Sequence, residues 1–431
     1  MKEIKKSKKN SFFKNVLIIT GGTATAQLIN TLLTPVITRI YSPEEFGILT
    51  VYLAILGIIA ITGSLKFDLG IAIAEDDEKA INVVALSIIV LVMYVSSITL
   101  ILYFWGDNLL ELFSSTVIIK YKFLIPLGIL FTGLYNIFTQ WALRNRNYNS
   151  ISKTKLNQSL IQNIFTISFG LFHLGPIGLI LGNIFGQSSG IGTLSAPLIK
   201  EDKYLFNKIN IKYILWCAKR YVRFPLYTAP SQFLNIAGLQ LPILFMTSLF
   251  GSSVVGFYGL ANIIVSLPIN LIGRSVSDVF YGEAARIGRT SPNDLKKISN
   301  NLFKKLILIG LIPLIILLMF GPSLFAFVFG QEWYTSGVYA RIIAFLIFAR
   351  LAFTPITRVF SIYEKQKDEL FLDIFRIIMV LLVFALSKIF LLNSYGFVGL
   401  YTIAMSIVYI IGFLWARKVI NDEVKKVELK C

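Results

Sequence analysis

Apolar stretches of about 20 residues alternate with short polar loops along the whole chain. About twenty residues is the length an α-helix needs to cross the hydrocarbon core of a bilayer. The pattern predicts twelve such helices, near 15–38, 47–65, 80–105, 121–143, 156–173, 176–197, 229–250, 255–278, 302–328, 337–360, 370–392 and 396–417. They fall into two six-helix halves, 15–197 and 229–417. A polar linker at 198–228 joins the halves, and segments 1–14 and 418–431 flank them. The predicted fold class is an all-α integral membrane protein, two six-helix repeats around a central cavity.

The repeat shows in polar residues placed at matching points. Gln27, Asn30, Pro35 and Phe46-Gly47 are followed 205 to 209 residues later by Gln232, Asn235, Pro242 and Val255-Gly256. Many secondary transporters are built from such a duplicated half, with the substrate held between the copies. Pro225, Pro230, Pro242, Pro268 and Pro313 are candidate helix breakers, and Pro35 and Pro242, which match across the repeat, carry the most weight.

Composition agrees with a membrane protein. The chain is 55% hydrophobic and only 15% charged, against about 25% charged in soluble domains, and its mean hydropathy is +0.72. A net charge of +18 suggests nucleic acid, but its distribution does not. With a cytoplasmic N-terminus, the segments 1–14, 66–79, 144–155, 198–224, 282–305, 361–370 and 417–431 hold 32 of the 41 Lys and Arg. That is the positive-inside pattern, which places both termini in the cytoplasm. Beyond orientation, the charge favours anionic headgroups. The 198–228 linker mixes lysines with Tyr204, Phe206, Tyr213 and Trp216, as an amphipathic segment on the membrane surface would. Glu75, Asp76, Asp77 and Glu78 are expected to be a solvated run at the start of the third helix, where acidic groups suit the helix dipole. Cys217 and Cys431 both fall on the cytoplasmic side, so no disulfide is expected.

Inside the predicted helices the polar residues form stripes. At 100° per residue, Thr20, Thr23, Gln27, Asn30, Thr31, Thr34 and Thr38 share one face of the first helix. Asn262, Ser266, Asn270, Arg274 and Asp278 recur in steps of four along the eighth. Thr132, Asn136, Thr139 and Gln140 mark the fourth, and Gln158, Gln162 and Thr166 the fifth. Such groups face each other or a wet cavity rather than lipid. Gln27, Asn30, Thr34, Asn262 and Asn270 are the expected cavity lining. Interhelical glue is the alternative for each residue taken singly. Gly182, Gly186 and Gly190 have the spacing of close helix packing.

Charge at the bilayer centre is costly, at least ~2.5 kcal/mol for an Arg. Arg274 and Arg350 lie well inside predicted helices. Arg39, Lys66, Arg341 and Arg358 lie near helix ends, where snorkelling accounts for them. Asp278 stands one turn after Arg274 and could neutralise it or serve in ion coupling. Arg350 has no acidic residue within one turn. An unneutralised Arg can hold a phosphate through paired hydrogen bonds.

Several chemistries are excluded. The chain has no Gly-x-x-x-x-Gly-Lys-Ser/Thr phosphate loop. His173 is its only histidine, so a His-based metal site is excluded by number. No metal and no cofactor is expected. No long outer loop is present to host polymerase or ligase chemistry.

The motifs resemble a known family. Pro35-Val-Ile-Thr-Arg39-Ile-Tyr-Ser-Pro43-Glu-Glu-Phe46-Gly47 resembles the start of Wzx-type oligosaccharide flippases. These belong to the multidrug/oligosaccharidyl-lipid/polysaccharide exporter superfamily. Lys66-Phe67-Asp68-Leu-Gly-Ile-Ala72-Ile73 is similar to the motif after their second helix. Arg223-Phe224-Pro225-Leu226-Tyr227 with Pro230-Ser231, Gly256-Phe-Tyr258-Gly-Leu260-Ala261 and Pro268-Ile-Asn-Leu-Ile-Gly273 resemble the opening of their second half. The resemblance implies a non-enzymatic flippase of the bacterial inner membrane. It would move undecaprenyl-pyrophosphate-linked oligosaccharide outward for O-antigen or capsule synthesis. The family's cationic cavity would fall on Arg274, and further on Arg39, Lys66 and Arg350. H+ or Na+ coupling and contacts with other polysaccharide-assembly membrane proteins are further expectations. The rivals are a cation-coupled multidrug exporter of the same superfamily, a membrane glycosyltransferase or polymerase, and a non-transporting scaffold.

Overall fold

The computed structural model describes residues 2–112, 116–287, 291–363 and 365–428. The side chains of residues 1–17 and of Asn270, Arg274 and Asp278, among others, lie outside the described residues. The described regular structure is helical throughout, and each of the twelve predicted stretches falls on helical backbone. The chain divides into two compact units, Met1–Leu244 and Phe245–Cys431.

The first unit opens with α1 (Lys2–Ile40) and α2 (Pro43–Ala60). Ser42-Pro43-Glu44-Glu45 makes the turn between them for a local reason. Ser42 Oγ accepts from the Glu45 N–H at 3.3 Å, and Glu45 Oε2 accepts from the Ser42 N–H at 2.8 Å. This reciprocal box satisfies two donors at the helix start, and Pro43 has no N–H to lose there. After a break come α3 (Leu69–Ile73) and the long α4 (Asp77–Leu112). Then follow α5 (Leu124–Arg144), α6 (Tyr148–Leu171), α7 (Pro176–Lys200) and the short α8 (Ile211–Arg220). A π-helical turn over Phe224–Thr228 leads into α9 (Ala229–Phe250), which crosses from one unit into the next.

Small residues set the packing of α6 on α7. A Cβ at Gly186 would stand 2.7 Å from the Gln162 Cβ, and one at Gly190 2.7 Å from Thr154 Cγ2. At Gly182 it would overlap Thr166. The Gly182–Gly186–Gly190 spacing therefore works as a packing stripe.

The second unit contains α10 (Ser252–Val265), α11 (Arg274–Ile287), α12 (Pro292–Phe329), α13 (Tyr334–Thr357), α14 (Val359–Ile362), α15 (Gln366–Ile389) and α16 (Ser394–Glu428). α13 is its hub and packs against α10, α12 and α16. Where α12 meets α13, a Cβ on Gly337 would collide with the Gly321 carbonyl and Pro322. Phe303, Phe353 and Phe413 stack at ring-centroid distances of 4.5 to 5.7 Å and tie α12, α13 and α16 together.

Among the described residues, seven segments are long and apolar enough to cross a membrane: Pro43–Ala60, Asp77–Glu111, Phe224–Phe250, Pro292–Phe329, Gln331–Ile362, Lys367–Ile389 and Ser394–Glu428. α1, α5, α6 and α7 are also 21 residues or longer but carry more polar faces.

The structure corrects two expectations. Pro35, Pro242 and Pro313 lie inside continuous α1, α9 and α12 and break nothing. The irregular turns fall instead at Phe224–Thr228, around Pro225, and at Ile269–Gly273, just after Pro268. A proline removes one ladder bond, and a π turn re-registers the helix around that loss. The eighth predicted helix, 255–278, is accordingly interrupted between α10 and α11.

Glu75–Glu78 is exposed at the start of α4, as expected, and it is ion-paired as well. Arg144 at the end of α5 reaches Asp77 at 2.9 Å and donates to the Ala74 carbonyl at 2.6 Å. Lys208 pairs with Glu78 at 2.8 Å, and Lys79 bonds Glu75 and Asp76. Asn82 on α4 is fully buried. Its Nδ2 donates to the Lys208 carbonyl at 3.1 Å, and its Oδ1 accepts from the Asn210 N–H at 2.9 Å. The linker is thereby fastened to the start of α4.

Candidate functional site

The first unit contains a helix break with buried charge. α2 ends at Ala60, and residues 61–68 form irregular turns before α3. Thr62 Oγ1 lies 3.0 Å from Tyr94 Oη, and a Cβ on Gly63 would stand 3.1 Å from Leu91. Leu91 is fourteen residues into α4, about 21 Å along it at 1.5 Å per residue. At the other end of the break, a Cβ on Gly70 would stand 3.3 Å from Val83. The break therefore lies beside the apolar body of α4. Irregular backbone at such depth is stable only where protein or an internal cavity satisfies it.

Lys66 sits in this break. It is 7% exposed, and Asp68 is 3% exposed. The Asp68 carboxylate accepts from the Ser64 hydroxyl. Leu65 and Lys66 have φ of 47° and 64°, the left-handed region that non-glycine residues enter at a cost, roughly 1–2 kcal/mol each. Lys66 is thus enclosed, and the snorkelling account of it fails.

The polar stripe on α1 is used for packing. Asn30 Oδ1 accepts from Ser159 Oγ and from Asn163 Nδ2, both at 2.7 Å, and Ser159 also donates to the Ala26 carbonyl at 3.0 Å. Thr31 and Thr34 return their hydroxyls to the Gln27 and Asn30 carbonyls at 2.8 and 2.7 Å. Gln158 meets Gln187 at 3.3 Å across α6 and α7, and Tyr41 donates to the Thr166 carbonyl at 2.8 Å. Asn30 and Thr34 are committed to helix contacts. Gln27, Asn136 and Gln140 stay half-buried. Arg39 is exposed near the end of α1.

The second unit holds a cluster of cations and phenols. Arg350, half-buried on α13, acts electrostatically on Tyr258 of α10 and Tyr401 of α16. Arg376 of α15 acts on Tyr401 from another side. It lies 5.9 Å from the Tyr409 ring and pairs with Asp373 at 2.7 Å. The Nε of Arg376 and the hydroxyls of Thr402 and Ser406 are buried without a hydrogen-bond partner. Thr402, Ser406 and Tyr409 stand four and three residues apart, so they share one face of α16. Arg376 is paired with Asp373, whereas Arg350 has no ion-pair partner among the described residues. Guanidinium forks and phenol donors form a set suited to phosphate or carboxylate oxygens.

Arg376 was not among the sequence candidates. It reads as part of the charged start of its helix, Gln366 to Arg376, with Asp373 one turn earlier. The 402–406–409 spacing was the signal that could have found its partners. Asn262 is half-buried, and its Oδ1 accepts from the Ser266 hydroxyl at 3.4 Å. Asn270, Arg274 and Asp278 lie outside the described side chains, so the Arg274–Asp278 pairing is not part of this geometry.

Electrostatics outside the spans follow the same contacts. The Lys79 backbone N–H holds the Asp76 carboxyl below its ordinary range, and the hydrogen bonds that Lys79 donates to Glu75 and Asp76 raise it to about 12. Burial pushes the Cys217 thiol up to about 11.

A family model described as polysaccharide biosynthesis protein matches residues 36–338. The chain belongs to this family. Its solved structural neighbours are transporters. An inward-facing multidrug resistance MATE family transporter of the MOP superfamily superposes with a TM-score of 0.76 at 18% identity, over 93% of this chain and 96% of that one. An outward-facing transporter of that description gives 0.64 at 16% identity, covering 96% of each chain. A MOP superfamily transporter from Pyrococcus furiosus, described by a reverse polarity of its binding pocket, gives 0.63 at 16% identity over 95% and 96%. Among curated proteins none matches. These likenesses give the family member the fold of a MATE-like, multi-pass all-α membrane transporter.

Proposed function

We propose that this polysaccharide biosynthesis family member is a flippase. It would carry undecaprenyl-pyrophosphate-linked oligosaccharide from the inner to the outer leaflet of the bacterial plasma membrane, with both termini cytoplasmic. The observation that carries the reading is the pair of arginines that act on Tyr401 in the second unit, Arg376, which pairs with Asp373, and Arg350, which has no ion pair among the described residues. A pyrophosphate needs such a set, and a cationic drug would be repelled by it. The family match supports polysaccharide precursors over drugs as the cargo class.

The pyrophosphate is assigned to Arg350 and Arg376, and Arg274, Lys66 and Arg39 are kept as further candidate cations. The sugar is assigned to polar groups of the second unit such as Asn262. Outward movement of the anion is favoured by the inside-negative potential, by ~2.3 kcal/mol per charge per 100 mV when no counter-ion travels with it. Coupling to H+ or Na+ is assigned to Asp278.

The test uses cells lacking the protein. Lipid-linked oligosaccharide is extracted and exposed to an impermeant glycosidase added from outside. A protected repeat unit should accumulate, and wild-type protein should clear it. Well-expressed Arg350→Ala should not, while Arg350→Lys restores it in part. Normal outer-leaflet delivery without the protein, in cells shown to hold no second flippase, refutes the reading. Selective loss of drug resistance would favour a multidrug exporter instead.

A further inference from the structure

The linker helix α8 presents three different faces. Ile214 and Cys217 are buried, and the Cys217 thiol lies against the Lys79 carbonyl of α4 at 3.9 Å. Ile211 and Leu215, one turn apart, are 64% and 58% exposed. Lys212 and Lys219, seven residues apart, stand about 100° round the helix from Ile211 and about 60° from Leu215. Arg220 extends the same exposed basic side. Around α8 the order is therefore protein, apolar strip, basic strip.

The neighbouring charges sharpen the contrast. The carboxylates of residues 75–78 are taken by Lys79, Arg144 and Lys208. Lys212, Lys219 and Arg220 have no carboxylate within ion-pair distance among the described residues. The acidic run thus neutralises the inner cations and leaves the outer three free. An apolar strip beside a basic strip matches one environment, the boundary between acyl chains and headgroups. α8 is held at that level because it is docked on the start of α4, where the apolar span begins.

We propose that α8 is an interfacial helix whose Lys212–Lys219–Arg220 face binds anionic phospholipid headgroups while Ile211 and Leu215 enter the acyl boundary. The surface fastens the first unit to the leaflet that carries those lipids. It is independent of what the protein transports. The occupant is a lipid rather than a protein because the free charge is all of one sign and lies directly against an exposed apolar strip.

The experiment uses the full chain with Cys217→Ser and Cys431→Ser, carrying a nitroxide on Leu215→Cys or Lys212→Cys. The protein is reconstituted in phosphatidylcholine vesicles, with or without phosphatidylglycerol. The label at 215 should be reached by dissolved oxygen and shielded from an aqueous nickel chelate, and the label at 212 the reverse. Phosphatidylglycerol should co-purify with the protein above its share of the mixture. Lys212→Gln/Lys219→Gln/Arg220→Gln keeps the buried contacts and should lower that excess, by about fivefold per charge at low salt. Equal chelate access at 215 and 212, or an unchanged phosphatidylglycerol excess in a folded triple variant, overturns the proposal. Shielding at 215 that appears in native membranes but not in vesicles also overturns it, in favour of a protein partner.

Discussion

Asn82→Ala tests whether the linker is latched to α4. The side chain makes two long-range bonds, to the Lys208 carbonyl at 3.1 Å and from the Asn210 N–H at 2.9 Å. Each net bond is worth roughly 1 kcal/mol, and a partner left without a bond adds to the loss. The expected cost is therefore about 2 kcal/mol, confined to the docking of residues 203–220 rather than spread over the helices. Two kcal/mol corresponds to about a 30-fold rise in the open population, since 1.36 kcal/mol is tenfold. Cys217 reports that opening. It is fully buried on the inner face of α8, and burial raises its thiol from 9.0 to about 11. At neutral pH this lowers its thiolate fraction about a hundredfold, one factor of ten for each unit. Maleimide labelling of Cys217 in the full chain with Cys431→Ser should thus be slow in the wild type and about 30-fold faster in Asn82→Ala. Labelling tracks the open population as long as reclosing outpaces modification. Equal rates in the two proteins would refute the latch. A variant that loses its thermal transition altogether would refute the claim that the loss is local.

Gly186→Leu should destabilise the α6–α7 pair by ~1–3 kcal/mol or more, because its Cβ alone would stand 2.7 Å from Gln162; a lowered melting temperature in detergent checks it, whereas Gly192→Ala, with open space around its Cβ, should be silent. Asn30→Ala and Ser159→Ala should couple in a double-mutant cycle by ~0.6 kcal/mol, as hydrogen bonds between membrane helices do; additive losses would mean that the 2.7 Å bond contributes nothing. Asp76 is held below its ordinary carboxylate range, so its contribution to the start of α4 is present above the ordinary value of 3.8 and is lost as pH falls through its folded-state value. Backbone amides of residues 79–82 should therefore exchange faster, after correction for intrinsic rates, only in strongly acidic buffer, and Asp76→Asn should show that faster exchange already at neutral pH.

The sequence by itself determined the fold class and the helices. Runs of about twenty apolar residues have few options besides spanning a bilayer, and that constraint acts residue by residue along the chain. Local chemistry was equally legible, as at Ser42–Glu45, where the cap is built from four consecutive residues, and at Gly182, Gly186 and Gly190. Tertiary structure decided which polar groups are packing and which remain available. Asn30 and Gln27 look alike on the face of one helix, yet only Asn30 has Ser159 and Asn163 opposite it, 129 and 133 residues away. Lys66 reads as a helix-end lysine until the break of α2 beside Leu91 encloses it. Glu75–Glu78 is as exposed as it reads, but only the fold brings Arg144 and Lys208 to it from other segments. Arg376 gains its meaning from Tyr409 and Tyr401 on a neighbouring helix. The physical reason is common to all four. The spanning pattern depends on transfer from water to lipid, which each residue contributes alone. The worth of a buried charge or amide depends on partners that only the packed helices bring within 3 to 6 Å.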